Sequence, residues 1–380
     1  MKIKKIIYVA KNLFFPPKVC LDNIFKTNFS KKVLISYLTG PFVREMSKSN
    51  SNYLESIKIA EIFHQQKYQV DVMQYNAKFK NIKFKNQNYN LVFGLEPNFL
   101  MAVDRFHPKE SIYYATGAHY LFQNQAEKKR LENLYQRKNF RLRQIRRVQV
   151  HDSSSFADAV ICIGNDWTKS TYKNHVKQIE MINVSAYSFF PYPKIKKEKN
   201  WAEARKNFLW FGSYGAVHKG LDLLLEIFPK HPELNLYICG GIENEEGFVK
   251  LYHRELYQTI NIHFIGWVNP DSDRFKNLML KCGYSILPSC SEGMSGAVAT
   301  TMHSGLIPVV TKETGLDIKD CGIILKDASL EEIEKVILSF KYKSISWYKK
   351  MAQKAYEQAQ RDFTLDKFTQ DFKRALEKIL

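Results

Sequence analysis

Two stretches of this 380-residue chain join an apolar, strand-like run to a glycine-rich turn and a helix start. The first is LWFGSYGAVHKGLDLL, residues 209–224. Gly212 and Gly215 let backbone approach a ligand there, and Lys219 stands near a helix opening, where a lysine can meet a phosphate held by the helix N-terminus. The second is YSILPSCSEGMSGAVATTMHSGLIPVV, residues 284–310. Glu292 falls in the turn after its strand, and Gly293, Met294, Ser295 and Gly296 lead into the helix. Backbone N–H groups at that start suit a diphosphate, and the carboxylate suits sugar hydroxyls. Taken singly, Lys219 reads as an exposed helix lysine and Glu292 as a solvated turn residue. Taken together they sharpen each other, because both are strand-to-helix turns of one sheet and would face the same cleft.

Other motifs fail on inspection. GAVHKGL (215–221) has the glycine spacing of a phosphate loop, but Leu221 stands where the motif needs lysine. No GxGxxG follows a strand, which disfavours nicotinamide and flavin chemistry. Gly293-Met294-Ser295-Gly296-Ala297 resembles a nucleophile elbow, yet the only histidine after it, His303, lies on the same helix, so a serine hydrolase lacks its base. Asp271-Ser272-Asp273 has the form of a metal-binding DxD; coming after Pro270 at a helix opening, it reads as an aspartate N-cap instead.

The elements that position these turns alternate. Strands VLISYL (33–38), YQVDVMQY, NLVFGL, SIYYAT, DAVICIGN and KQIEMINV are interleaved with helices such as YLESIKIAEIFHQQ and the charged run Ala126 to Lys138. A loop rich in Ser and Asn follows the first of these strands. The basic, proline-containing segment 191–207 reads as a linker, and a second α/β series begins after it. Two parallel α/β halves meeting near residue 200 make a cleft, and open α/β sheets bind ligands outside the carboxyl ends of their strands.

The six cysteines are scattered without a CxxC pair, as expected of buried, reduced thiols in a cytosolic protein. The apolar run Ile6 to Ala10 is stopped by Lys11, too short for a signal peptide, and no stretch has the length of a spanning helix. Fifty-seven basic against 38 acidic residues give a net charge of +19. That excess points to a polyanionic partner: a phosphorylated substrate, anionic lipid or nucleic acid. Nucleic acid is disfavoured by the absence of RRM, KH or helix-turn-helix signatures. Basic residues cluster at 125–150 and 191–207, beside Tyr135, Phe140, Tyr192 and Trp201, which suggests peripheral attachment to an anionic membrane surface.

These residues resemble glycosyltransferase family 4. Lys219-Gly220 matches the family's Lys-Gly helix start, Glu292 the first glutamate of its Glu–x7–Glu stretch, and Ser304-Gly305-Leu306-Ile307-Pro308-Val309 the tail of that stretch. The resemblance covers roughly 205–330. It implies a GT-B fold: an N-terminal Rossmann-like acceptor-binding domain at 1–192, a C-terminal nucleotide-sugar-binding domain at 193–362, and a C-terminal helix at 363–380 packing back on the first domain. It further implies donor contacts from Gly212, Ser213, Lys219, Met294, Ser295, Gly296 and Thr300. Glu292 would orient the donor sugar. Ser213 and Thr300 depart from the family, which has an arginine and the second glutamate there. They imply either altered donor contacts or a degenerate protein that binds a nucleotide or glycan without transfer.

In the first half, IYYATGAH places His119 where the family has its catalytic-site histidine, though alone it reads as a core or capping histidine. FQNQAEKKRLENL after it resembles bacterial polysaccharide glycosyltransferases. Gly40, at the end of the VLISYL strand, is a weaker match to the loop that approaches donor and acceptor. The implied activity is retaining transfer of a sugar from a nucleoside-diphosphate donor to a glycan or lipid-linked acceptor, in capsule or lipopolysaccharide synthesis. No metal or other cofactor is expected, because Lys219 and the Ser295–Gly296 amides would stabilise the departing diphosphate.

Overall fold

The computed structural model describes residues 19–43, 51–318 and 320–380. The Ile6–Ala10 run and the Ser/Asn-rich loop at 44–50 lie outside the described residues. The chain builds two parallel-sheet lobes. The first sheet holds β1 (Cys20–Leu21), β2 (Lys31–Tyr37), β3 (Tyr68–Gln74), β4 (Leu91–Gly94), β5 (Glu110–Ala115), β6 (Ala159–Ile163) and β7 (Ile179–Ile182). Their order is β1-β3-β2-β4-β5-β6-β7, parallel except for the short edge strand β1, which pairs antiparallel with β3. The second sheet holds β8 (Asn207–Phe211), β9 (Asn235–Cys239), β10 (Ile262–Phe264), β11 (Tyr284–Leu287), β12 (Ile307–Thr311) and β13 (Ile323–Leu325). It is parallel throughout, in the order β10-β9-β8-β11-β12-β13.

Helices cover both faces of such sheets, so the central strands are apolar along their length rather than alternating. Val33, Leu34 and Ile35 of β2, Leu91, Val92 and Phe93 of β4, and Val309 and Val310 of β12 are all buried. Among the parallel strands of each lobe the order reverses once, between β2 and β4 and between β8 and β11. Those reversals open crevices at the carboxyl ends of the strands.

The chain crosses back at its end. The Ile345–Asp362 helix packs on the Gly296–His303 helix, and the Leu365–Ile379 helix packs on the Ser51–Gln65 helix, β6 and β7. Phe372 meets Phe63 and Phe93 edge-on, and Lys378 pairs with Glu180 at 2.8 Å.

Three sequence expectations change. The segment read as a linker carries two helices, Tyr192–Glu198 and Trp201–Ala204. Tyr192, Ile195 and Lys199 are buried, so the charged residues around them had masked an inward apolar face. The charged helix begins at Tyr120, six residues before Ala126. The N-cap at the DxD is Ser272, whose hydroxyl accepts from Phe275 N–H at 3.3 Å, and Asp273 occupies the first turn. All six cysteines are free, and all but Cys20 are buried. Among the described residues no helix is long and apolar enough to cross a membrane.

The lobes are locked together by polar contacts. Arg137 of the Tyr120–Lys138 helix pairs with Asp222 at 2.6 Å and Glu226 at 3.2 Å, and Arg130 donates to Pro288 O at 2.7 Å. Thr168 donates to Gly293 O at 2.8 Å, and Asn165 to Asp317 at 2.7 Å. At Gly293 a Cβ would fall 2.6 Å from Thr116 O and 2.7 Å from Ile163 O, so only glycine fits between the lobes there.

Candidate functional site

Lys219 follows β8 and Glu292 follows β11, the two strands that flank the reversal of the second sheet. Their side chains converge: Lys219 Nζ donates to Glu292 Oε1, and Ser289 Oγ donates to the same oxygen at 3.0 Å. Burial opposes the carboxylate's charge, but Lys219 foremost, with His218 and Arg146 behind it, outweighs burial and holds Glu292 at about 2. Glu292 is therefore ionised at any physiological pH.

Backbone geometry fixes Lys219. Trp210, fully buried at the end of β8, donates its indole N–H to Lys219 O at 3.2 Å. Gly220 takes φ +70° at the helix start, and a Cβ there would lie 2.5 Å from Pro288 O. Both the left-handed conformation and the close approach demand glycine after the lysine. Beside it, buried His218 hydrogen-bonds through Nε2 to Ser291 O. Burial pushes its pKa down to about 4, so the ring is neutral.

The facing wall belongs to the first lobe. A cavity of about 160 Å³ is lined by Glu96, His119, Arg146, His151 and Tyr172 from that lobe, and by Glu292 and Gly293 from the other. His119 opens the Tyr120–Lys138 helix without capping it through its side chain. Its ring stacks on His175 with centroids 4.2 Å apart and meets Tyr172 edge-on. Burial, then the neighbouring His175 and His151, pulls it down to about 4. His119 is thus a neutral imidazole, and its buried Nδ1 has no hydrogen-bond partner among the described residues. His151 lies 3.7 Å from Glu96. A second cavity, of about 390 Å³, continues along the cleft past Glu96 and Thr116, between Tyr37, Leu38 and Leu95 of the first lobe and Met294 and Gly296 of the second.

The remaining sequence candidates divide. Gly212 packs against the stem of Lys219, and Ser213 is exposed beside it. The approach to Gly215 is made by the stem of Arg146, not left open, and the Gly215 and Ala216 N–H groups donate to Glu245 at 2.6 and 3.1 Å. The Ser295 N–H donates to Thr314 O at 3.0 Å, so this amide is taken within the lobe. Gly296 lines the larger cavity, and Thr300 lies further along the same helix, partly buried. Met294 is buried, with its sulfur accepting from Val184 N–H at 3.4 Å. Gly40 begins a short 3-10 turn at the end of β2. Sequence reasoning missed Glu96, His151, Arg146 and Tyr172. Arg146 stood within a basic run read only as charge, and the others carry no local pattern.

Residues 205–340 match the family model for Glycosyl transferases group 1. No curated protein matches the chain. Solved structures match nearly its whole length. Sucrose-phosphate synthase from Thermosynechococcus elongatus aligns at TM-score 0.65 and 12% identity over 92% of this chain and 99% of that one. Anabaena Alr3699/HepE in complex with UDP-glucose aligns at 0.60 and 12% over 91% and 99%. WaaG, a glycosyltransferase involved in lipopolysaccharide biosynthesis, aligns at 0.56 and 15% over 90% and 98%. The chain has the GT-B fold. In that fold the interlobe cleft is the place where Lys219, Glu292 and His119 come together, and the matched family model spans both turns of the C-terminal lobe.

Proposed function

We propose that the protein is a retaining glycosyltransferase that moves a sugar from a nucleoside-diphosphate donor to a glycan or lipid-linked acceptor, in bacterial surface polysaccharide synthesis. The observation that carries this reading is the meeting of Lys219 and Glu292 at the sheet reversal, opposite His119 across a shared cavity. The family match and solved relatives named with UDP-glucose and lipopolysaccharide biosynthesis support it.

The chemistry follows from the groups present. Breaking the bond between the sugar C1 and the diphosphate places negative charge on the leaving oxygens and positive character on the ring. Lys219 is fixed in advance to meet the first charge, which is worth more in a water-poor cleft than in bulk solvent. Glu292, held ionised, accepts hydrogen bonds from sugar hydroxyls, and the neutral His119 offers Nδ1 to a hydroxyl from the other wall. Interlobe contacts such as Thr168 to Gly293 limit water entry and hence wasteful hydrolysis. With side-chain cations balancing the leaving group, turnover is expected to survive chelation of divalent metals.

Of the two basic clusters, Arg130, Arg137 and Lys199 turn inward, whereas Lys128, Lys129, Arg141, Arg143, Lys194, Lys196 and Lys197 are exposed. The exposed set supports peripheral attachment to an anionic inner membrane surface, where a lipid-linked acceptor would lie. Salt-sensitive flotation with anionic liposomes is the expected result; its absence removes this attachment.

Nucleoside diphosphate release from a panel of sugar nucleotides tests the activity. Wild type should release it with one donor, and Glu292→Ala should abolish the release. The exposed Ser213 and the Thr300 position favour a second reading, a GT-B protein that binds without transfer. Tight donor binding with no release by wild type would establish that reading instead.

A further inference from the structure

Among the described residues, the charged side chains that line the cavity between His119 and Glu292 each face an opposite charge except Arg146, whose charge acts on Glu292 and Glu245 without forming an ion pair. Lys219 is engaged by Glu292, Arg137 by Asp222 and Glu226, and His151 faces Glu96. Arg146 forms no ion pair among the described residues, and its Nε is buried without a hydrogen-bond partner. A desolvated guanidinium nitrogen left unpaired is costly, and a ligand oxygen is the natural remedy.

Arg146 is held in place through its own backbone and that of the residues beside it. Its own N–H donates to both carboxylate oxygens of Glu127, at 2.9 and 3.1 Å, and the Ile145 N–H donates to Glu127 at 3.1 Å. Its carbonyl accepts from Gln123 at 2.7 Å, and Val148 is bonded both ways to Asn124 at 2.8 Å. Gln123, Asn124 and Glu127 lie within one turn of the Tyr120–Lys138 helix, the same helix that His119 opens.

The far end of the side chain reaches the other lobe. The guanidinium lies over the Tyr214 ring, 4.6 Å from its centroid, and a Cβ on Gly215 would fall 2.6 Å from Arg146 Cγ. Arg146 therefore crosses the cleft onto the turn that carries Ser213 and leads to Lys219, and it lines the cavity it shares with His119 and Glu292.

We propose that Arg146 grips the diphosphate of the donor from the opposite lobe, beside the turn where the C-terminal lobe presents only Ser213, and that Gln123, Asn124 and Glu127 are its positioning residues. This rests on the donor-site reading above. A planar guanidinium offers paired N–H groups that match phosphate oxygens, while Lys219 adds a point charge from the second sheet. Because the two cations sit on different lobes, a bound diphosphate would tie the lobes together, which couples donor binding to closure.

The test is calorimetric titration of the full-length protein with ADP, CDP, GDP and UDP, with the matching nucleosides, and with inorganic phosphate. Arg146→Ala should weaken the bound diphosphate by about 10- to 100-fold, the worth of a charged hydrogen bond, and the nucleoside by less than about 2-fold. Arg146→Lys, which keeps the charge and volume, should still lose diphosphate affinity selectively, and Asn124→Ala should give a smaller loss of the same kind. Equal diphosphate binding by Arg146→Ala and wild type overturns this inference and leaves the donor site standing. Parallel losses for diphosphate and nucleoside overturn it too, since they mark a structural role. Inorganic phosphate binding as tightly as the diphosphate, with the same dependence on Arg146, overturns the donor assignment of the arginine. A wild type that binds none of the diphosphates overturns the proposed function and this inference together.

Discussion

Each lobe turns the reversal of its sheet toward the same cleft, but the two reversals are equipped differently. At β8 and β11 the candidate groups sit on the turns themselves: Lys219 lies eight residues after β8 and Glu292 five after β11, and they pair with each other. At β2 and β4 the turns bring Tyr37, Leu38, Leu95 and Glu96 to the cavity wall, and no cation among them. The first lobe draws its other polar groups from elsewhere: His119 after β5, Arg146 from the irregular stretch after the Tyr120–Lys138 helix, and His151 beyond it. One half-site is therefore local and pinned by backbone, through Gly220 and Trp210. The other is assembled from distant segments and depends on how a helix and its following loop dock.

The sharpest break in this contrast is at the local pair. Lys219→Met should strand an ionised, largely buried carboxylate and cost about 3–5 kcal/mol in urea unfolding. Adding Glu292→Gln should recover much of that loss, while neither variant releases nucleoside diphosphate. The pair also sets an acid limit. Glu292 is held at about 2 against an ordinary 4.5, so its contribution is complete above about pH 4.5 and fades as pH falls toward 2. Glu292→Gln should flatten stability across that window.

The assembled side should respond through docking. Arg137→Ala takes from buried Asp222 its ion-pair partner and leaves Arg130 to oppose the burial that has already lifted its carboxyl to about 6, and should cost about 3 kcal/mol. Small-angle scattering should show a looser lobe arrangement in the variant. A radius unchanged from wild type would mean that the lobes do not need this ion pair. Gly293→Ala should cost about 1–3 kcal/mol, because its Cβ meets two carbonyl oxygens of the other lobe. An unaffected melting temperature would show that the lobes can part freely.

The smallest effect separates the histidines. His119 and His218 are held near 4, so the unfolded chain takes up protons at these positions before the folded one does as pH falls below about 6.5. Each should cost about 1 kcal/mol of stability between pH 6.5 and 5.5. His119→Gln should remove one of these contributions, and no pH–rate step near 6.5 should be traceable to His119.

Lys219, Gly220 and Glu292 were readable because parallel strands buried on both faces appear as unbroken apolar runs, and a glycine at a helix start marks a backbone demand. The two-residue β1 carries too little pattern to be seen. The Tyr192–Glu198 helix was read as a linker because Lys194, Lys196 and Lys197 surround its buried Tyr192 and Ile195. The backbone approach expected at Gly215 was closed by Arg146 and Glu245, and the free amide expected at Ser295 was taken by Thr314, partners that no local spacing announces.

The order of residues along the chain thus determined the sheets, their turns and the places of Lys219 and Glu292 on those turns, because those features depend on periodicity and on neighbours a few positions apart. Folding alone decided which basic residues face inward, which amides remain open, and that Arg146 reaches Tyr214 and the Glu292 cavity. These outcomes depend on the docking of one lobe against the other, and desolvation and charge pairing across that seam act between residues far apart in sequence.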